Sequence, residues 1–185
     1  MGKIRIISGK YRGKALFAPE GEETRPLLSR LRKSLADILR PRLQGTFVLD
    51  LFAGSGAIGF ELLSNGAQKA VLIEKSPRSA SYIRQNALAL GAEAKVIESD
   101  CLKVIPSLFK AGEKFDVILV APPYGLELQR AAMEALAENP LLAVGGTVVV
   151  QREAKESFWE PVKPFHLIET RKYGRTVFDF YGSDG

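Results

Sequence analysis

Apolar and polar positions follow different rhythms in three parts of the chain. From Thr46 onward, short apolar runs recur at intervals: FVLDLF, AVLIE, AKVIE, DVILV and GTVVV. Stretches with helical spacing, such as AIGFELLSNG and SASYIRQNALALG, separate them. Strand alternating with helix predicts an α/β fold, a mostly parallel sheet with helices on both faces. The tail breaks that alternation. HLIETRKYGRTVFDFYG predicts two strands joined near Tyr173 and Gly174, a closing antiparallel hairpin. The start differs again: Ile4 and Ile6 flank Arg5, and Ala15-Leu16-Phe17 follows a turn bracketed by Gly9 and Gly13, predicting a small β-hairpin. PEGEETRP predicts a loop. After it Leu27, Leu28, Leu31, Leu35, Ile38 and Leu39 recur at helical spacing, and Pro41 is expected to close that helix.

Composition narrows the class. With 185 residues and 46% hydrophobic content, the chain can build one domain with a full core and a small appendage. Its one cysteine excludes an intramolecular disulfide, and with one histidine it leaves no plausible zinc cluster, so no metal is expected. No apolar run approaches a membrane span, and the start lacks the apolar core of a signal peptide; the expectation is a cytoplasmic protein without membrane contact. Charge is placed unevenly. Residues 1–42 carry eleven Lys and Arg against four Asp and Glu, whereas the remainder carries fifteen against seventeen. This suggests a nucleic-acid-facing arm, residues 1–42, on a body of residues 43–185; an ordinary solvated basic face is the other reading.

VLDLFAGSGAIG is the strongest chemical signal. Gly54, Gly56 and Gly59 match Gly-x-Gly-x-x-Gly between a strand and a helix, and Glu74 ends the next strand. Such a loop lets a ligand approach the backbone while the acid takes ribose hydroxyls. By itself it serves a nicotinamide or flavin equally well. Asp50 separates these readings, because a carboxylate at the strand end gains nothing from a pyrophosphate but favours a ligand carrying an ammonium and a sulfonium, such as S-adenosylmethionine. Asp100 follows the strand KVIE, where it could take an adenine amino group or cap the next helix. Cys101 beside it is expected to pack. In the arm, Arg5, Lys10, Arg12, Lys14 and Arg25 are candidate phosphate contacts and Tyr11 a stacking ring. Arg30, Arg32 and Lys33 share a helix with Leu31 and Leu35, so water-facing roles stand beside RNA contact. Phe158 and Trp159 are expected to pack, and His166 has no nucleophile pattern near it.

The set DLFAGSG, IE, SD and PPY, in that order, resembles class I S-adenosylmethionine-dependent methyltransferases. RIISGKYRGKAL, TRP and RLRKSLADIL before it, and RKYGRTVFDFY at the end, resemble the RsmD-like family, the 16S ribosomal RNA guanine-N2 methyltransferases. The resemblance spans nearly the whole chain. It implies a Rossmann-like sheet, S-adenosylmethionine as cofactor, and ribosomal RNA or the small subunit as partner; the sequence does not give the oligomeric state, for which a monomer is the expectation. It implies a cofactor site of Asp50, Phe52, Ala53, Gly54, Ser55, Gly56, Glu74, Lys75, Asp100 and Cys101. It also raises Ser8, Gly9, Arg12, Gly13, Thr24, Arg25 and Pro26 as a group that holds RNA; with the basic candidates Arg5, Lys10 and Arg30 they make up the expected RNA contact.

The resemblance places the reaction at Ala121, Pro122, Pro123 and Tyr124. Enzymes that methylate exocyclic nitrogens usually read Asp-Pro-Pro-Tyr or Asn-Pro-Pro-Tyr here. The first side chain and the first proline carbonyl hold the amino hydrogens, and the ring stacks on the extruded base. Ala121 departs from that pattern. Three explanations stand: an impaired variant, a natural form using backbone carbonyls and water, or an RNA-binding protein that keeps the scaffold.

Overall fold

The computed structural model describes residues 2–20 and 26–184, apart from the side chains of residues 2, 3, 26 and 27. The predicted loop falls largely on residues outside this set. Fourteen elements follow in the order β1 (Gly2–Arg5), β2 (Ala15–Ala18), α1 (Pro26–Leu43), β3 (Phe47–Asp50), α2 (Ala57–Ser64), β4 (Lys69–Ile73) and α3 (Pro77–Leu90). Then come β5 (Ala94–Ile97), α4 (Cys101–Lys110), β6 (Phe115–Val120), α5 (Leu128–Glu138), β7 (Leu142–Glu153), β8 (Phe165–Tyr173) and β9 (Thr176–Ser183). β1 and β2 form a two-stranded sheet, and the other seven are hydrogen-bonded in the order β5-β4-β3-β6-β7-β9-β8. β4 runs parallel to β5 and β6 to β7, while β9 is antiparallel to both β7 and β8. The predicted mostly parallel α/β sheet with an antiparallel hairpin at its end is therefore observed.

Contacts divide the chain into two compact units. The first comprises residues up to Val48 and Ala53–Ser99. Its helices begin and end where local chemistry requires. Ser76 caps α3 by accepting from the Ser79 amide at 3.3 Å, Pro77 fills the first turn, and Gly91 ends the helix at φ 62°. One element differs from the sequence reading: α1 continues through Pro41 to Leu43. A proline removes its own amide bond to the preceding turn but does not prevent the residues after it from completing a final turn. Leu39 and Leu43 are both buried, and the Thr46 hydroxyl donates to the Leu43 carbonyl at 2.7 Å, so packing and a cap carry the helix past the proline. In the small sheet, Lys3 lies opposite Phe17. The Asn86 side chain of α3 clasps Phe17 from the other side: its Oδ1 accepts from the Phe17 amide at 2.8 Å, and its Nδ2 donates to the Phe17 carbonyl at 2.9 Å.

The second unit comprises Leu49–Phe52 and Asp100–Gly185, described to residue 184. Its core gathers around β9, which is buried from Thr176 to Gly182. Trp159 is buried as expected, meeting Phe165 and Tyr181 edge-on with ring centroids 6.2 and 5.5 Å apart. Arg152 pairs with buried Asp179 at 2.7 Å, and the Thr170 hydroxyl donates to the other Asp179 oxygen at 2.7 Å. Tyr181 is fully buried and its hydroxyl donates to the Trp159 carbonyl at 3.0 Å.

Burial, and secondarily the Asp179 charge, raises the Tyr181 phenol above its ordinary value of 10.0. In the unfolded chain the phenol ionises near its ordinary value, whereas the folded protein keeps it neutral. The stabilisation is fully present below that value and is lost as pH rises through it toward the folded pKa. Denaturation across about pH 9 to 11 should show parent stability falling by up to about 1.4 kcal/mol per pH unit from this group. Tyr181→Phe should show a correspondingly shallower fall. Parallel pH curves for the two proteins would contradict the assignment.

Candidate active site

The glycine loop belongs to the first unit and is built by β3 running into α2. The Ala53 amide donates to the Ile73 carbonyl at 2.9 Å, and the Gly56 amide to the Ala53 carbonyl at 2.7 Å. Gly56 holds φ 81° at the helix start, where an added Cβ would stand 2.7 Å from the Phe60 ring; both backbone and space require glycine. Gly59 meets β4 closely, an added Cβ lying 2.5 Å from Leu72 Cδ2. Glu74 reaches this loop directly: its Oε2 accepts from the Gly54 amide at 2.7 Å and its Oε1 from the Ser76 amide at 3.0 Å. Glu74 is half-buried, Lys75 exposed, and Ala53 and Ser55 buried. Of the predicted cofactor residues in this unit, the structure thus joins Gly54 to Glu74 by hydrogen bond and leaves the Lys75 side chain in solvent.

In the second unit, Asp50 ends β3 with 2% exposure and its Oδ1 accepts from the half-buried Phe52 amide at 3.2 Å. Asp100 caps α4, Oδ1 accepting from the Leu102 amide at 2.8 Å, and Cys101 packs behind it, 4% exposed. A carboxylate has two oxygens, so the cap on Oδ1 is compatible with the other sequence reading, an amino group held by Oδ2.

The proline corner follows β6. Ala121 is half-buried, Pro122 buried, Pro123 exposed and Tyr124 40% exposed. The Tyr124 hydroxyl lies 2.9 Å from Thr176 Oγ1 and accepts from Gln151 Nε2 at 2.8 Å, which pins the ring by its far end to β7 and β9. The next residue, Gly125, is at φ 84°, and its amide donates to Glu156 Oε1 at 2.8 Å. Buried Glu156 also accepts from the Glu153 amide at 2.7 Å and from Gln129 Nε2 at 3.3 Å. Gln151, Glu156 and Thr176 escaped the sequence reading because each acts on the corner from 27 to 52 residues away.

The basic arm is anchored in the first unit. Arg5, Lys10, Arg12, Lys14 and Arg30 lie toward solvent, Arg5 donating to the Gly13 carbonyl at 2.9 Å. Lys10 stands over the Tyr11 ring, 4.9 Å from its centroid. Thr24 and Arg25 lie outside the described residues, as does the side chain of Pro26. Arg32 differs from the water-facing reading: it is 8% exposed and pairs with fully buried Glu61 of α2 at 3.1 Å. His166 is exposed and pairs with Asp184 at 2.8 Å. Among the described residues, no group of three or more His, Cys, Asp or Glu is placed to hold a metal ion, and no helix is long and apolar enough to cross a membrane.

A parallel sheet in this strand order, ending in an antiparallel hairpin and carrying a glycine loop after β3, is the fold of class I S-adenosylmethionine-dependent methyltransferases. Methyltransferase structures 12 to 18% identical to this chain share the fold alone. The family model described as conserved hypothetical protein 95 matches residues 4–182. Ribosomal RNA small subunit methyltransferase D of Escherichia coli K12 is 30% identical over 97% of this chain and 90% of its own length. The Escherichia coli protein yhhF superposes with a TM-score of 0.85 at 27% identity, covering 98% of each chain. A hypothetical protein of Thermus thermophilus does so with a TM-score of 0.80 at 36% identity, over 96% of this chain and 98% of that one. The chain belongs to the family of that model and of ribosomal RNA small subunit methyltransferase D.

Proposed function

We propose that this protein transfers a methyl group from S-adenosylmethionine to the N2 amino group of a guanine in small-subunit ribosomal RNA. The observation that carries this reading is its chain-long kinship with ribosomal RNA small subunit methyltransferase D. The donor set suits the cofactor. Glu74 and Asp50 offer acceptors to ribose hydroxyls and to a cationic group, and glycines at 54 and 56 keep side chains out of the way. Phe52, Ala53, Ser55, Lys75 and Cys101 complete this set, and Asp100 serves the adenine amino group. When bound, the cofactor supplies an electrophilic methyl on a sulfonium, so no metal is needed.

The chain's own residues then hold the base. A guanine amino nitrogen is a weak nucleophile because its lone pair is delocalised into the ring. The Pro122 carbonyl accepts an amino hydrogen and turns that lone pair out of conjugation, while Tyr124 stacks on the base. The Tyr124 hydroxyl bonds to Thr176 and Gln151 keep the ring from turning away. Residues 1–42 face RNA and residues 43–185 form the catalytic body. Arg5, Lys10, Arg12, Arg25 and Arg30 meet phosphates, and Ser8, Gly9 and Thr24 contact the RNA beside them. The protein works as a monomer in the cytoplasm.

The test is transfer of labelled methyl to small-subunit particles from cells lacking this protein, followed by mapping of the modified base, with calorimetry of the demethylated cofactor alongside. The expected result is cofactor binding and one methylated guanine. Label on another base would overturn the guanine assignment. RNA binding without transfer would replace the enzyme by a binding protein on the same scaffold.

A further inference from the structure

Helix α2 starts at the glycine loop and, one turn later, carries a charge that no element of the proposed reaction uses. Glu61 is fully buried. Its carboxylate accepts from the Ile7 amide at 3.0 Å, the Ser8 amide at 3.1 Å and the Ser8 hydroxyl at 3.2 Å. Arg32 neutralises it from α1, donating through Nε at 3.1 Å, and the Arg32 Nη2 donates in turn to the Arg5 carbonyl at 2.6 Å. Ser64, one turn further along α2, extends the grip. Its hydroxyl donates to the Ser8 carbonyl at 2.6 Å and accepts from the Tyr11 amide at 2.9 Å, and its carbonyl accepts from the Lys10 amide at 2.9 Å. At Gly9 the loop lies so close to α2 that an added Cβ would fall 1.9 Å from the Ser64 carbonyl oxygen, with φ at 82°.

We infer that Glu61 is a positioning residue: it locks the loop of residues 7–14 onto α2, so that Lys10, Arg12 and Lys14 present RNA phosphates at a fixed place relative to the glycine loop. The inference rests on the RNA-facing reading of the arm. Its physical basis is that backbone amides at residues 7, 8, 10 and 11, ordinarily free to wander in a turn, are all satisfied by one helix. A loop ordered beforehand does not lose that freedom when RNA binds, so its affinity is higher than that of the same cations on a loose loop. Without Glu61 the cations remain, but their arrangement is lost.

That difference separates positioning from contact. Glu61→Gln weakens two amide bonds and the pairing with Arg32; Ser64→Ala is milder and leaves the ion pair intact. Both are compared with the parent for affinity toward a small-subunit RNA fragment at several salt concentrations, for binding of the demethylated cofactor, and for hydrogen exchange at residues 7–11. The expected result is faster exchange in this loop and RNA affinity lower by roughly tenfold for Glu61→Gln, less for Ser64→Ala. Cofactor affinity is retained, and the slope of log affinity against log salt is unchanged, because no phosphate contact is removed. Arg12→Ala, by contrast, reduces that slope by about 0.7 to 0.9. Should Glu61→Gln not fold, Ser64→Ala decides the matter alone. Parent-like RNA affinity in a variant whose loop exchanges faster overturns the positioning role, as does a reduced salt slope. A parent chain that binds cofactor but no RNA overturns the arm reading itself.

Discussion

Ala121→Asp and Ala121→Asn should each raise the rate of methyl transfer to RNA by roughly 10²–10³ over the parent chain, if the new acceptor behaves like other preorganised polar groups. Position 121 follows Val120, the fully buried last residue of β6, and precedes the stiff Pro122-Pro123 pair, so its direction is set by a strand on one side and two fixed rings on the other. On the proposed reading, alanine puts a methyl group where an oxygen would meet an amino hydrogen of the base. Because Ala121 is half-buried, a carboxylate or carboxamide there should keep access to solvent before the base arrives. The gain belongs in kcat, since an acceptor that straightens the lone pair acts in the transition state more than in binding. Two substituents separate two causes. Equal gains from Asp and Asn identify hydrogen-bond acceptance, whereas a gain from Asp alone identifies charge. Equal activity of all three proteins would remove any catalytic meaning from this position.

Trp159→Ala should lower unfolding free energy by about 3–5 kcal/mol, the range for deleting a buried aromatic side chain. The ring is 5% exposed and meets Phe165 and Tyr181 edge-on, so its loss opens a cavity against those two side chains of β8 and β9. The backbone at the same residue also accepts the Tyr181 hydroxyl, and a shift of that segment would strand a buried donor. Denaturant unfolding followed by far-ultraviolet circular dichroism measures this without the missing fluorophore. Trp159→Phe should recover more than half of the loss by refilling most of the volume. A loss below about 1 kcal/mol for the alanine variant would mean that the segment collapses to close the gap.

The architecture was readable because its signals are local. FVLD, KAVLI, AKVI and FDVILV each begin after a polar residue, and β8 and β9 are joined by a two-residue turn at Gly174 and Arg175, beside the Tyr173-Gly174 position their spacing predicts. The glycine loop was legible for a related reason: Gly56 answers a steric demand from Phe60 on the next turn, and Gly59 one from Leu72 on the strand that follows directly. Pro41 misled because a propensity at one residue yields to the burial of Leu39 and Leu43. Arg32 misled because its helix neighbours say nothing about Glu61, 29 residues away in sequence. Glu156, Gln151 and Thr176 were hidden likewise. Each supports the Pro-Pro-Tyr corner through a bond between distant segments, and a lone Glu, Gln or Thr in a sequence carries no sign of such a partner.

Asn86 and Phe17 have a consequence beyond packing. A two-stranded ribbon normally leaves a row of peptide groups on each outer side, and such a row invites another chain to add itself as a further strand. At Phe17 the carboxamide of Asn86 occupies both the donor and the acceptor that an incoming strand would need. One side chain thus imitates a neighbouring peptide unit, and the ribbon is kept from self-templated stacking at the place where its own helix touches it.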